Sequence, residues 1–445
     1  MSRGLFAVLA SLVVSSALAA PGRAVRPPAR PVTIDNNSSC DIGVYPAATL
    51  LLPYFEVDVR KAVTDAPNTL FTIINTRRTP QIARVNIWTD AGYPAMWFNV
   101  FLTGFDVQPI SMYDVVARGL VPATSNALAA GDRSAPNGGN PNFVALEGCA
   151  SAGGAMPAAV LAQMQAMLTT GANGDSACRV GTEHELATGY VTVDVVNSCS
   201  NVSPLDIAYY SQVLLYDNAL TGDYERINPD SAVGNHAGGN PLVHIKALPE
   251  GGPAGSGSTA LPYTFYDRYT PAGARRIDRR QPLPAAFAAR FIQGGTGRFQ
   301  TEFAMWREGV TAGASCVAAN TSIPFASIVR FDELGNPSAS YVKAEAAGLR
   351  LMTAASSSPP TTSSLFPPML SGPGVSGWMY LDLDNRVGAS STNPYSSNRT
   401  SQNWLIVHMK ADGRYAVDYD ATTLANGCSG AGQIQTLNIN ERSAQ

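Results

Sequence analysis

Ala83-Arg84-Val85-Asn86-Ile87-Trp88, closed by Asp90-Ala91-Gly92, is the stretch on which the fold turns. Polar and apolar residues alternate at a period of two, and aromatic and β-branched types are frequent. That is the pattern of a strand, not of a helix. Working outward, Thr49-Leu50-Leu51-Leu52-Pro53-Tyr54-Phe55-Glu56-Val57 and Thr69-Leu70-Phe71-Thr72-Ile73-Ile74-Asn75 precede it. Phe98-Asn99-Val100-Phe101-Leu102 and Asp106-Val107-Gln108-Pro109-Ile110 follow it. These runs are separated by turn residues and show no helical apolar spacing between them, so they predict an antiparallel β-sandwich.

The pattern returns at Tyr190–Val196, Gln212–Tyr216 and Leu242–Ile245. After Gly251–Ser258, rich in Gly, Pro and Ser, it returns again at Phe299–Trp306, Ala326–Phe331, Trp378–Leu381 and Trp404–His408. The expected fold is therefore mainly all-β: antiparallel β-sandwich modules in two lobes, 40–250 and 263–445, with a linker over 251–262. Residues 125–185 interrupt the first lobe. Apolar spacing at Val160, Leu161, Met164, Met167 and Leu168, between Pro157 and Gly171, predicts a small helical insertion there. Ser356–Ser364 reads as low-complexity loop. Phe71–Gly92 and Arg290–Gly309 share an order of strand, turn, alternating strand, tryptophan and glycine, which is hairpin grammar as readily as duplication.

The N-terminus carries an address. Arg3 supplies a positive start, Leu5–Leu18 an apolar core, and Ala17-Leu18-Ala19 a small-x-small cleavage pattern. Residues 1–19 are expected to be a signal peptide, cut after Ala19 because a cut after Ala20 would leave Pro21 at the new end. The apolar segment is too short to cross about 30 Å of hydrocarbon comfortably, and no later run reaches the roughly 18 apolar residues a membrane helix needs. A Pro/Arg-rich leader over 20–39 follows. The chain is expected to be exported, soluble and without a membrane span after cleavage, either periplasmic or at the cell surface or outside the cell.

Six cysteines, Cys40, Cys149, Cys178, Cys199, Cys316 and Cys428, all fall after the cut, and no C-x-x-C occurs. In an exported chain they read as disulfides rather than zinc ligands. Cys149 with Cys178, flanking one helical segment, and Cys316 with Cys428 are the expected pairs, although spacing does not choose among the connectivities that six cysteines allow. Net charge is −3, with 26 arginines and 4 lysines. That balance excludes the basic footprint of a nucleic-acid binder, and the arginine excess reads as codon bias.

The search for chemistry returns no catalytic residue. G-x-S-x-G is absent, and Ser340-Tyr341-Val342-Lys343 matches S-x-x-K without the K-T-G or S-D-N that would accompany it. H-E-x-x-H is absent, and His184, His236, His244 and His408 are scattered. Asp382, Asp384 and Asn385, and separately Asp418 with Asp420, are candidate oxygen ligands for calcium, the one cofactor considered. Arg386 and Val387 break the calcium-loop spacing, and a solvated strand end is the plainer reading. The same carboxylates offer a glycosidase-type acid and base. Arg275, Arg276, Arg279 and Arg280 form the densest charge cluster, readable as an anion-binding patch or as a loop paired with nearby acids. Trp97, Trp306, Trp378 and Trp404 offer a sugar platform, with core packing the plainer role.

Leu51-Leu52-Pro53-Tyr54-Phe55-Glu56-Val57-Asp58, Ile87-Trp88-Thr89-Asp90 and Leu102-Thr103-Gly104-Phe105-Asp106-Val107-Gln108 resemble an uncharacterised group of exported bacterial β-rich proteins. Tyr263-Thr264-Phe265-Tyr266-Asp267-Arg268-Tyr269 is similar to a later block of the same group. The resemblance implies a bacterial, exported origin over most of the mature chain and brings no functional residues with it. The expectation is a non-catalytic secreted or cell-envelope protein, structural, adhesive or ligand-binding, with a glycan or an envelope protein as partner. The alternatives are an exported hydrolase or lyase acting on carbohydrate or peptide, and an outer-membrane β-barrel, against which the polar loops weigh.

Overall fold

The computed structural model describes residues 45–122, 154–229, 236–247, 250, 279–281, 283–284, 286–296, 298–307, 322–324, 327–337, 344–346, 348–353, 363–364, 375–383, 403–411 and 415–425. The elements below belong to one compact unit, Cys40–Gln445.

Five strands run in succession: β1 (Thr49–Val57), β2 (Asn68–Asn75), β3 (Gln81–Thr89), β4 (Pro94–Leu102) and β5 (Val107–Ser111). Helix α1 (Met112–Val116) and β6 (Leu120–Val121) come next, followed by β7 (Gly154–Ala155), helix α2 (Ala158–Thr169), β8 (Ala172–Asn173) and β9 (Asp175–Arg179). Then come β10 (Ala187–Val196), β11 (Leu220–Asn228), β12 (His236–Pro241) and β13 (Val243–Ile245). They build a five-stranded sheet in the order β13-β1-β10-β3-β4 and a four-stranded sheet in the order β12-β11-β2-β5.

The later strands are β14 (Ala286–Gln293), β15 (Phe299–Arg307), β16 (Ser322–Pro324), β17 (Ser327–Asp332), β18 (Ala344–Ala346) and β19 (Gly348–Thr353). β20 (Ser363–Ser364), β21 (Val375–Asp382), β22 (Asn403–Ala411), β23 (Tyr415–Asp420) and β24 (Thr422–Ala425) complete them. They form a four-stranded sheet, β17-β21-β14-β24, and a five-stranded sheet, β20-β19-β15-β22-β23. Pairing is antiparallel except between β19 and β20. The fold is the all-β, multi-sheet architecture that the period-two runs predict, and the helical insertion is α2. Among the described residues no sheet closes into a barrel, and no helix is long and apolar enough to cross a membrane.

Local chemistry explains the irregularities. Pro53 sits in a strand paired on both sides and cannot donate to a ladder, and the β1–β10 register shifts between Leu52 and Phe55. Pro109 lies in β5, which among the described residues borders only β2 and so tolerates a missing N–H. Gly189 allows close approach, since a Cβ there would stand 2.1 Å from the Trp88 carbonyl oxygen. One stretch departs from expectation. Gln212–Tyr216 reads as a strand, but Tyr209–Val213 is a π-helical turn, and of the residues after it Leu214 makes a β-bridge to Val196. The reason is polar: the turn directs the Tyr209 hydroxyl onto Asp194 at 2.7 Å and the Tyr210 hydroxyl onto the Pro204 carbonyl.

One apolar core runs from Ala47 to Ala421 through both sets of sheets. At its centre Trp88 stacks on Tyr190, with ring centroids 5.8 Å apart, and Tyr190 meets Trp306 edge-on at 5.5 Å. Among the described residues no ladder joins a strand before residue 246 to one after 285. The two sets therefore meet mainly through side chains, with one backbone hydrogen bond between the Leu349 N–H and the Asp90 carbonyl, and the polar groups at that meeting are described next.

Candidate functional site

The densest polar cluster lies where the first set of sheets meets the second. Alternation along β1 puts Tyr54 and Glu56 on one face, and β11 supplies Arg226. Opposite them, register aligns Glu302 of β15, His408 of β22 and Asp418 of β23 in one row. Arg226 joins the two sides: its Nη2 donates to Glu56 Oε1 at 2.6 Å and its Nη1 to Asp418 Oδ2 at 2.8 Å. Asp418 Oδ1 is also in hydrogen-bond contact with His408 Nδ1. The Tyr54 hydroxyl donates to Glu56 Oε2 at 2.6 Å, and the Tyr54 ring packs under the Arg226 guanidinium at 4.8 Å. At the rim, Lys410 donates to Glu302 at 2.9 Å.

The electrostatics follow from burial and pairing. Burial alone would raise the Glu56 carboxyl, but the Arg226 cation and the Tyr54 hydroxyl outweigh it and hold Glu56 below its ordinary value. Burial opposes the Arg226 charge too, yet Glu56 and Asp418 raise its proton affinity. Asp420, two residues from Asp418 on the same strand face, behaves oppositely. Burial pushes it up to about 7, the Asp418 charge adds to the rise, and the Trp404 indole N–H, donating at 3.0 Å, only moderates it. The carboxylate–imidazole pair of Asp418 and His408 has the form of an acid–base relay. Among the described residues the hydrogen-bond contacts of His408 are Arg226 and Asp418, neither of them a nucleophile. This arrangement ties the two sets of sheets together.

A second cross-link gathers on the turn that ends the fold-deciding strand. Asp90, almost fully buried, accepts from the Thr182 backbone N–H at 3.0 Å and from the Thr182 hydroxyl. His184 Nε2 and Arg350 Nη1 lie 3.1 and 3.0 Å from its Oδ2. The Leu349 N–H donates to the Asp90 carbonyl at 2.7 Å, so β19 is tied to the β3–β4 turn. Burial would raise Asp90, but His184, Thr182 and Arg350 hold it below the carboxylate range. Hydroxyl, imidazole and carboxylate stand together here without forming a triad, because Thr182 Oγ1 and Asp90 Oδ2 both face the same ring nitrogen, Nε2. A relay needs the carboxylate on the other nitrogen.

A third network lies wholly inside. Asp194 on β10 accepts from Thr49 at 2.6 Å, Tyr209 at 2.7 Å, and Asn86 and Arg280 at 3.1 Å. Arg84 hydrogen-bonds Asn86 and the Ser200 carbonyl and lies over the Tyr209 ring. So the polar face of β3, which alternation alone would give to solvent, is buried under 197–216 and Arg280. Of the four-arginine cluster, Arg280 is an internal counter-ion and Arg279 stacks on buried Tyr216 at 4.2 Å, while Arg275 and Arg276 lie outside the described residues.

Other predicted site residues are dispersed. Asp382 is buried at the end of β21, whereas Asp384 and Asn385 lie outside the described residues, as do Ser340–Lys343. His244 is buried against Thr221 and the Gly222 N–H, and burial lowers it to about 4. His236 and His244 do not share a hairpin, since β12 and β13 belong to different sheets. Among the described residues no three His, Cys, Asp or Glu side chains group as metal ligands. Cys40, Cys149, Cys316 and Cys428 lie outside the described residues, as does the side chain of Cys178 on β9. Trp306 and Trp404 are buried, Trp97 is half-buried beneath Arg84, and Trp378 is exposed. A hollow of ≈ 380 Å³ on the outer face of the β12-β11-β2-β5 sheet has Leu70 and Pro109 in its wall and exposed Asp223 and Glu225 beside them. Arg226 and Asp90, the centres of the two cross-links, carry no local motif, although the Asp-Ala-Gly turn marks Asp90.

No family model matches the chain, and no curated protein matches it.

Proposed function

We propose that this chain is an exported, disulfide-stabilised, non-catalytic β-sandwich protein of the cell envelope or its surroundings that works by binding, in keeping with the bacterial exported group its sequence resembles. The observation that carries the reading is the use made of its charged clusters. The side chains best suited to acid–base chemistry, around Arg226 and around Asp90, are tied to one another across the meeting of the two sets of sheets. Groups spent in this way fix a rigid scaffold, and binding function then falls to exposed faces and loops. The cleavage pattern at Ala17-Leu18-Ala19 supports export, and Cys199, which is disulfide-bonded, supports an oxidising compartment.

The test has two arms. Fractionation of producing cells should recover a mature form beginning at Ala20, outside the cytoplasm and without free thiols. The purified mature protein should turn over none of a panel of polysaccharides and peptides. A cytosolic form retaining Met1 overturns export, and turnover that is lost in Asp382→Ala establishes the hydrolase or lyase alternative instead.

A further inference from the structure

Trp378 is the exposed tryptophan of the described residues: 44% of it is open to solvent, against 5% or less for Trp88, Trp306 and Trp404. It stands on the outer face of the β17-β21-β14-β24 sheet, where register places it beside Phe331 on β17 and Arg290 on β14. A large apolar ring left in water forgoes much of the stabilisation its burial would give, and here its surroundings are held still. The Arg290 guanidinium lies 5.5 Å from the ring centroid and donates to Glu333 at 2.6 Å. Glu333 also hydrogen-bonds Ser376. The turn that carries Glu333 is braced by the Asp332 carboxylate, which accepts from the Leu334 and Asn336 backbone N–H groups and from the Asn336 amide at 2.8–2.9 Å.

Three features define what such a face accepts. It is a sheet surface, suited to an extended ligand. Its aromatic ring offers stacking, and rigid aromatic and arginine side chains are the types that dominate binding energy. Its arginine and glutamate are already paired with each other, and the remaining carboxylate, Asp332, is turned onto the backbone of its own turn, so the donors and acceptors beside the ring carry little free charge. Apolar faces edged with hydroxyls and no charge are the property of a neutral sugar ring. We infer that the outer face around Trp378 is a platform for a neutral polysaccharide, with Trp378 stacking on a pyranose ring and Arg290 and Glu333 hydrogen-bonding its hydroxyls. The inference rests on the reading of the chain as a binding protein and names the ligand class and the site.

The experiment uses the full mature protein in affinity electrophoresis and fluorescence titration with laminarin, xylan, galactomannan and soluble starch, with alginate as the charged comparator. Emission is informative because Trp378 is the most exposed of the five tryptophans. At least one neutral polymer is expected to retard the protein and shift its emission. Trp378→Ala should weaken binding about tenfold or more, the scale of one lost stacking contact, and Trp378→Phe should restore part of it. Arg290→Gln should weaken it severalfold. Matching unfolding curves for the variants show that the fold is kept. Absence of binding by every neutral polymer, binding of alginate alone, or binding indifferent to Trp378→Ala overturns the platform. So does self-association in sedimentation that Trp378→Ala abolishes, which would make the face a contact between copies. None of these results touches export or the absence of turnover, on which the broader reading is judged separately.

Discussion

Asp420→Asn should stabilise the protein at neutral and alkaline pH and leave it unchanged in acid. In the folded chain the Asp420 carboxyl is raised to about 7 from an ordinary 3.8. The folded state therefore holds this proton more tightly than the unfolded state, and stability falls as pH rises between roughly 4 and 7, then levels off. The full span corresponds to roughly 4 kcal/mol at ~1.4 kcal/mol per tenfold change in proton affinity. Asp420 is only half-buried, and partial solvent access brings the expected gain nearer to 2 kcal/mol. Asparagine imitates the neutral acid and keeps an oxygen for the Trp404 N–H. The assay is equilibrium urea unfolding of both proteins from pH 4 to 8.5, plotted as their difference. That difference cancels contributions common to both, including His244, whose lowered value makes stability rise with pH between about 4 and 6.5. The difference should be near zero at pH 4, climb through pH 5–7 and plateau above. A flat difference, or a variant less stable at pH 8, would refute the placement of Asp420 beside Asp418.

Arg226→Ala leaves Glu56 and Asp418 without their shared cation and should cost about 3–5 kcal/mol by thermal or urea unfolding, with Arg226→Lys recovering part. Asp90→Asn removes the charge that faces His184 and Arg350 and should cost about 2 kcal/mol at pH 7. Because the Asp90 carboxyl is held low, the stability it gives is present above the ordinary carboxylate value and is lost as pH falls, so the difference from the parent should vanish in acid. Gly189→Ala forces a methyl to 2.1 Å from the Trp88 carbonyl and should destabilise by about 2–3 kcal/mol in the same assay, through displacement of the β3–β10 ladder.

How much of this was legible follows from what a period of two can encode. Alternation in Ala83–Trp88 identifies a strand and separates its two faces, and it does the same at Phe299–Trp306 and Trp404–His408. It does not say which face is wet. Arg84 and Asn86 have the look of a solvent face but are wholly buried, because the 197–216 segment and Arg280 close over them. β11, rich in charged and small residues, gives little strand signal and is fixed by its partners β2 and β12. The helix over Ala158–Thr169 was readable because its Pro and Gly boundaries are local.

The same limit explains the cross-links, and it bears on function. Asp418 and Asp420 announce themselves as carboxylates two apart on one strand face, a pattern shared by a calcium ligand pair, a glycosidase pair and a structural clamp. What separates these readings is a cation 192 residues away from Asp418, Arg226, which no local pattern reveals. With Arg226 in place, Asp418 is an ion-pair partner, and Asp420, which meets no cation among the described residues, is driven toward the neutral acid. A calcium site needs carboxylates that are charged and open, and a glycosidase needs two facing a substrate. One carboxylate is engaged by an internal arginine and the other favours its proton near neutrality, which is the behaviour of a buried cross-link. That cluster ties the two sets of sheets together, and exposed Trp378, on another sheet, is where we propose recognition.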